Sequence, residues 1–338
     1  MTSLGFDCGT YNLVSCKRSE NGDFVYRREV NAFLEMPLDN PFVFNMMKKA
    51  GVPLIQRDDT NTAYALGEAA MSMAYTMPMI EVKRPMSQGC VNPKEKDAFQ
   101  IMSVMMHGLL GDVAEDKVVL YYSVPANAIN EETDADYHNK VLESIFKAYK
   151  SKTGKTVDAR PINEALALVY AELQDKGFTG IGISFGAGMV NVAFSLFAAP
   201  VFQFAIVNSG DWIDKQAAKA TGETVAFINR EKTKVDLTKQ PTSLVERAIT
   251  TQYNIMIEKT VAGIKKGVEE NKKAAKMENP VDIIIAGGTS SPNGFETLFK
   301  DVLTSANLPI PIGNVIKPAD PLFSVARGCL VAAENASS

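Results

Sequence analysis

Residues 6–12 read Phe6-Asp7-Cys8-Gly9-Thr10-Tyr11-Asn12, between Ser3-Leu4-Gly5 and Leu13-Val14-Ser15-Cys16-Lys17. An extended run, an acidic residue, a Gly-Thr turn and a second extended run predict a β-hairpin with a carboxylate and a hydroxyl at its tip. Gly9 has no Cβ, so the backbone there can approach a ligand closely. Turn amides can point at an anion, and Asp7 can hold a hard cation through oxygen, directly or through water. Taken alone, the stretch reads as an ordinary turn. What decides its meaning is whether the chain supplies partners.

Three further stretches do. Gly180-Ile181-Gly182-Ile183-Ser184-Phe185, then Gly186-Ala187-Gly188, then a second extended run, predict another Gly-tipped hairpin 177 residues after the first. Val281-Asp282-Ile283-Ile284-Ile285-Ala286 reads as a buried strand running into Gly287-Gly288-Thr289. Glu164 stands at a strand-to-helix junction between the hairpins, where it can orient a water. Two facing tips would clamp a polyphosphate, and the third glycine pair would let a nucleoside lie flat on backbone. That is the logic of phosphoryl transfer by positioning and charge stabilisation.

Composition removes competing classes. The 338 residues are 46% hydrophobic and 22% charged, ordinary for a folded domain or two. The net charge of −4, with no long run of either sign, argues against a nucleic-acid surface. Two histidines and no HExxH argue against a zinc enzyme or a histidine triad. Cys8, Cys16, Cys90 and Cys329 have no CxxC spacing and read as reduced thiols. No signal pattern and no apolar run of ~18 residues is seen, so a cytoplasmic protein is expected. Two motifs fail on inspection. Gly154-Lys155-Thr156 lacks the glycine that a phosphate loop needs at 149, which is Tyr149, and neither Gly180-x-Gly182 nor Gly186-x-Gly188 completes a dinucleotide fingerprint.

The pattern predicts an α/β chain. Strands and turns fill 3–32, and 33–80 is mixed, broken by Pro37, Pro41 and Pro53, with a short helix near 46–51. Helices are expected over 93–110, 131–150, 164–175, 243–276 and 293–305, and strands over 118–124, 156–162 and 201–207. Asp211 is a candidate helix cap, and residues 320–333 carry an apolar stripe.

Together these motifs resemble the actin, sugar-kinase and heat-shock-ATPase superfamily, and within it the bacterial actin MreB and its relatives. Phe6-Asp7-Cys8-Gly9-Thr10 resembles the first phosphate motif, Ile162-Asn163-Glu164-Ala165 the connecting motif, Phe185-Gly186-Ala187-Gly188 the second phosphate motif and Ile285-Ala286-Gly287-Gly288-Thr289 the adenosine motif. Ala65 to Ala70, Lys83 to Gly89, Ser123-Val124-Pro125, Ser209 to Asp214 and Asp320 to Gly328 are similar to MreB segments in the same order.

The resemblance implies a duplicated actin-like (ribonuclease H-like) fold, with two large domains, a smaller subdomain on each and a nucleotide cleft between them. The boundaries expected are 1–32, 86–165 and 320–338 for the first large subdomain and 33–85 for its small one. The second large subdomain would take 166–208 and 243–319, and its small one 209–242. The resemblance also implies ATP (or GTP) with Mg2+ and head-to-tail assembly into cytoplasmic filaments. It assigns Glu164 to the attacking water, Asp7 to the metal through water, and Gly9, Thr10, Tyr11, Asn12, Gly186, Ala187, Gly188 and Met189 to phosphate. Gly210, Asp211, Gly287, Gly288 and Thr289 would meet the nucleoside.

Two departures bear on activity. Ser184 stands where the second phosphate motif usually has Asp, which predicts weaker magnesium binding and a slow ATP phosphohydrolase that Ser184→Asp would speed. The adenine-contacting acidic position falls near Ala226, which leaves the base open. Only six residues precede Asp7, so the N-terminal amphipathic helix common in MreB is not expected, and Leu109-Leu110 is the candidate for any membrane contact. The leading expectation is an actin-like ATPase that polymerises with itself and meets a cargo or adaptor of unknown kind. The alternative is a monomeric nucleotide-switched adaptor or chaperone-like ATPase. A small-molecule kinase ranks third, because no acceptor-base Asp is identifiable.

Overall fold

A computed structural model describes residues 2–38, 41–57, 61–76, 81–113, 117–149, 157–271 and 277–337. The chain opens with an antiparallel meander of β1 (Thr2–Cys8), β2 (Asn12–Arg18) and β3 (Phe24–Val30). A small insertion follows, built from β4 (Phe33–Pro37), α1 (Pro41–Lys49), β5 (Leu54–Arg57), β6 (Thr62–Leu66) and α2 (Gly67–Thr76), its three strands pairing as β4-β6-β5. After the short β7 (Met86–Ser87) and β8 (Cys90–Val91) come α3 (Ala98–Leu110), β9 (Val118–Val124), α4 (Ala135–Ala148) and β10 (Asp158–Asn163). β9 and β10 join the meander in parallel, giving the sheet order β10-β9-β1-β2-β3.

α5 (Glu164–Glu172) then leads into a second copy of the same plan. β11 (Gly180–Phe185), β12 (Val190–Leu196) and β13 (Ala199–Ile206) form the meander. Next come α6 (Gly210–Thr221), α7 (Val225–Lys232), α8 (Leu244–Glu270), β14 (Val281–Ala286), α9 (Phe295–Ala306) and β15 (Ile312–Ile316). The second sheet runs β15-β14-β11-β12-β13, with β14 and β15 parallel, so the two sheets share one strand order. The duplication expected from the two hairpins is present.

α10 (Ser324–Ser337) returns to pack on β1 and β9 and against α5. Glycine makes this packing close. A Cβ at Gly5 on β1 would lie 2.2 Å from the Ala326 carbonyl of α10, and one at Gly182 on β11 would lie 2.1 Å from the Ala165 carbonyl of α5. Gly182 is 177 residues after Gly5, the same offset as the hairpins. The second half has its own core, where Phe185 meets Phe295 and Phe299 edge-on at 4.8 and 6.0 Å. In the first half Phe6 and Tyr122 pack on Phe146.

Several boundaries differ from those read in sequence. α3 starts at Ala98 rather than 93, because Asn92 Oδ1 accepts from the Lys94 amide and the Asn92 carbonyl from the Glu95 amide, which puts Pro93 in a turn. α4 starts at Ala135 rather than 131, because the Asp134 carboxylate caps it by accepting from the Tyr137 amide at 2.8 Å. α8 ends at Glu270; residues 272–276 of the helix expected over 243–276 lie outside the described residues, as does Gly154-Lys155-Thr156. Ser209, not Asp211, holds the cap position of α6. Leu110 is buried and Leu109 half-buried at the end of α3, which makes that pair helix-end packing. No helix among the described residues is long and apolar enough to cross a membrane.

Candidate functional site

The β1–β2 and β11–β12 turns face each other. A Cβ at Gly188 would lie 2.3 Å from Thr10 Oγ1 and 2.3 Å from the Gly89 amide nitrogen, so the tips meet with no room for a side chain between them. Behind this junction lies a cavity of about 260 Å³. Asp7, Gly9, Thr10, Tyr11 and Asn12 line it from the first tip, and Gly186, Ala187, Gly188 and Met189 from the second. Glu164 and Ser184 line it too, as do Gly287, Gly288 and Thr289. Gly210 and Asp211 do not line it. They stand behind the second tip, where their amides donate to the carbonyls of Gly186 (3.2 Å) and Ala187 (2.8 Å). The Asp211 carboxylate pairs with Arg84 at 3.0 Å, and the Arg84 guanidinium lies 6.0 Å from the Tyr11 ring centre.

Each acidic side chain is fixed from behind. Ser123 Oγ, on β9, donates to Asp7 Oδ1 at 2.9 Å and accepts from the Cys8 amide at 2.8 Å. Asn163 caps α5 by accepting from the amides of Ala165 and Leu166, which makes Glu164 its first residue and aims it at the cavity. Glu164 Oε1 accepts from Ser184 Oγ, and Oε2 accepts from Asn191 Nδ2 at 2.8 Å. Burial pushes both carboxyls well above the usual range; the charge of Asp7 raises Glu164 further, and the Ser123 and Ser184 hydroxyls oppose the rise at Asp7 and Glu164 respectively.

The sequence reading passed over one wall of the cavity. Asn229, Lys232 and Thr233 line it from α7 and its end. Lys232 Nζ donates to the Gly210 carbonyl at 2.9 Å and pairs with Asp214 at 2.7 Å, while Asn229 Nδ2 donates to Asp214 Oδ2 at 2.7 Å. Their spacing of three and four residues after Thr224, which caps α7, groups them on one helix face but does not separate a cleft wall from a solvated face. Ser123, Gly89, Pro321 and Leu322 are among the other lining residues not singled out as site residues.

The sequence model of the family described as Volactin matches residues 1–333. The chain belongs to the Volactin family. No curated protein matches the sequence. Among solved structures, the MamK double helical filament superposes with a TM-score of 0.71, at 17% identity over 98% of this chain and 98% of that one. MreB5 of Spiroplasma citri bound to AMPPNP gives 0.67, at 14% identity over 99% and 96%. The ethanolamine utilization protein EutJ from Carboxydothermus hydrogenoformans gives 0.53, at 15% identity over 97% and 88%. Over nearly its whole length the chain shares the actin-like fold of these structures. This member of the Volactin family carries Ser184 and Asn191 against Glu164 at the centre of its cleft.

Proposed function

We propose that this cleft binds a nucleoside triphosphate, ATP or GTP, with Mg2+, and that the bound nucleotide controls self-assembly into cytoplasmic filaments. The observation that carries the reading is the convergence of two Gly-tipped hairpins on one cavity that also holds Glu164. MamK was solved as a double helical filament and MreB5 with AMPPNP, which supports the same behaviour for a chain of this fold. In this reading the four subdomains follow the boundaries expected from sequence, with Asn229 and Lys232 added to the nucleoside wall.

The residues fit the group. Mg2+ keeps most of its waters and takes one or two carboxylates together with substrate phosphates. Among the described residues no cluster of three acids or other ligands forms a dedicated metal cage, and Asp7 alone at the first tip suits a water-mediated contact. When bound, Mg2+ would supply charge neutralisation on the phosphate oxygens. The backbone amides of the two tips hold the phosphates. Glu164 accepts a hydrogen bond from the attacking water, whose oxygen bonds to the γ-phosphorus as the bond to the bridging oxygen breaks, yielding nucleoside diphosphate, phosphate and a proton. Gly210 and Asp211 support the second tip and act on the nucleoside only through it.

Gly288 supplies the test. An added Cβ there meets nothing within 4 Å, and Gly288 lines the cavity. Gly288→Val is expected to leave the melting temperature unchanged and to weaken nucleotide binding, measured calorimetrically with ATP and Mg2+, by at least about tenfold, the scale of a lost ligand contact. Unchanged binding would remove the glycine pair from the site.

A further inference from the structure

The segment after β9 joins the two halves. From Pro125 to Asn130 the chain leaves the first sheet and runs beside β13, the edge strand of the second. Ala205 N–H donates to the Asn127 carbonyl at 3.0 Å and Ile129 N–H to the Ala205 carbonyl at 2.9 Å. Asn130 Nδ2 donates to Asn208 Oδ1 at 2.6 Å, and the Val207 amide to Asn130 Oδ1 at 3.1 Å. This strap supplies the pairing that an edge strand otherwise lacks.

One side chain links the strap to the centre of the cleft. Asn191, on β12, is 1% exposed and does not line the cavity. Its Oδ1 accepts from the Ala126 amide at 2.9 Å, and its Nδ2 donates to Glu164 Oε2 at 2.8 Å. The neighbours dictate the orientation of the amide, since Ala126 N–H needs an acceptor and a carboxylate needs a donor. With Ser184 on the other oxygen, both Glu164 oxygens are anchored by donors from the second sheet. A carboxylate accepts about four hydrogen bonds, so lone pairs remain for water while the plane is fixed.

We propose that Asn191 is a positioning residue that couples Glu164 to the strap, so that turnover depends on how residues 125–130 seat against β13. A shift of the two halves that moves Ala126 pulls on Asn191 and through it on the carboxylate. The inference rests on the reading of Glu164 as the residue that orients the attacking water.

Asn191→Asp is the direct probe. It keeps an oxygen for Ala126 N–H and replaces the amide donor to Glu164 with a second carboxyl, which cannot stay ionised beside it and so disturbs the carboxylate it positions. Phosphate release by the full chain with ATP and Mg2+ would be measured for wild type, Asn191→Asp, Glu164→Gln and the double variant, with thermal melts of each. Asn191→Asp is expected to lower kcat about tenfold to a hundredfold with KM within about twofold, because misplacing a reacting group acts on the chemical step. In the Glu164→Gln background it should cost almost nothing more, since the group it positions is gone. Should Asn191→Asp fail to fold, Ala126→Pro deletes the amide at the strap end and should lower kcat in the same Glu164-dependent way. Glu164-dependent turnover that Asn191→Asp leaves unchanged, or a loss repeated in full in the double variant, overturns the coupling alone. Wild-type protein with no turnover, or turnover indifferent to Glu164→Gln, overturns the reading of Glu164 and the coupling with it.

Discussion

Ser184 is explained by what its hydroxyl touches. It donates to Glu164, so the position is occupied by a hydrogen bond rather than left short of an acid. An Asp at 184 would set a second carboxylate against Glu164 in a buried site, and two such groups cannot both stay ionised. The geometry therefore favours the opposite outcome to the one expected from the sequence. Ser184→Asp is expected to slow phosphate release, by up to about a hundredfold for a misplaced reacting group, and a faster variant would mean that metal binding outweighs the loss. The buried carboxyls also set a pH dependence. Their folded pKa values are raised, so the stability they confer is full below the unfolded carboxylate range and is lost as pH rises through the folded values. His138 works from the other side. Burial lowers it from 6.5 to about 4, so its contribution is lost as pH falls through that window. Melts without nucleotide should therefore decline on both flanks. Glu164→Gln should flatten the alkaline flank, and an unchanged flank would contradict the assignment. At this scale the glycine tips, Asp7 and Glu164 were legible because small and acidic residues punctuate extended runs. Lys232 and Asn229 were not, because a Lys and an Asn on a helix look like solvated surface until the fold turns them inward.

Among the elements, the two hairpins and the parallel strands beside them were legible from apolar runs bounded by glycine. The strands of the insertion were hidden by Pro37 and Pro53, and β15 by Gly313 and Asn314, which interrupt its five residues. Helix starts were misread where a side chain, rather than the apolar period, sets the first turn, as Asp134 does for α4. The related glycines of β1 and β11 carry the prediction at this scale. Gly182→Ala drives a methyl into the Ala165 carbonyl, and backbone there cannot give way without moving α5. It is expected to destabilise the fold by about 1–3 kcal/mol, the cost of overpacking. Because α5 carries Glu164, turnover should fall as well. A variant as stable and active as wild type would show that α5 adjusts freely.

For the molecule as a whole, two copies of one sheet plan meet at a cleft, with the strap at 125–130 and α10 crossing between them. A ligand that bridges both tips fixes the angle between the halves, so a nucleotide that binds one angle better than another shifts the population toward it. Head-to-tail contacts between unlike surfaces generate filaments where the rotation from copy to copy does not close a ring. If the angle between the halves sets whether those surfaces match, nucleotide and assembly are linked. The most direct test is sedimentation with electron microscopy of the full chain across a concentration series, with ATP and Mg2+, with EDTA, and with Gly288→Val. The account predicts filaments with ATP and Mg2+ above a critical concentration, and their loss with EDTA or in the variant. A chain that stays monomeric at every concentration with every nucleotide, or one that polymerises equally well without any, would contradict it.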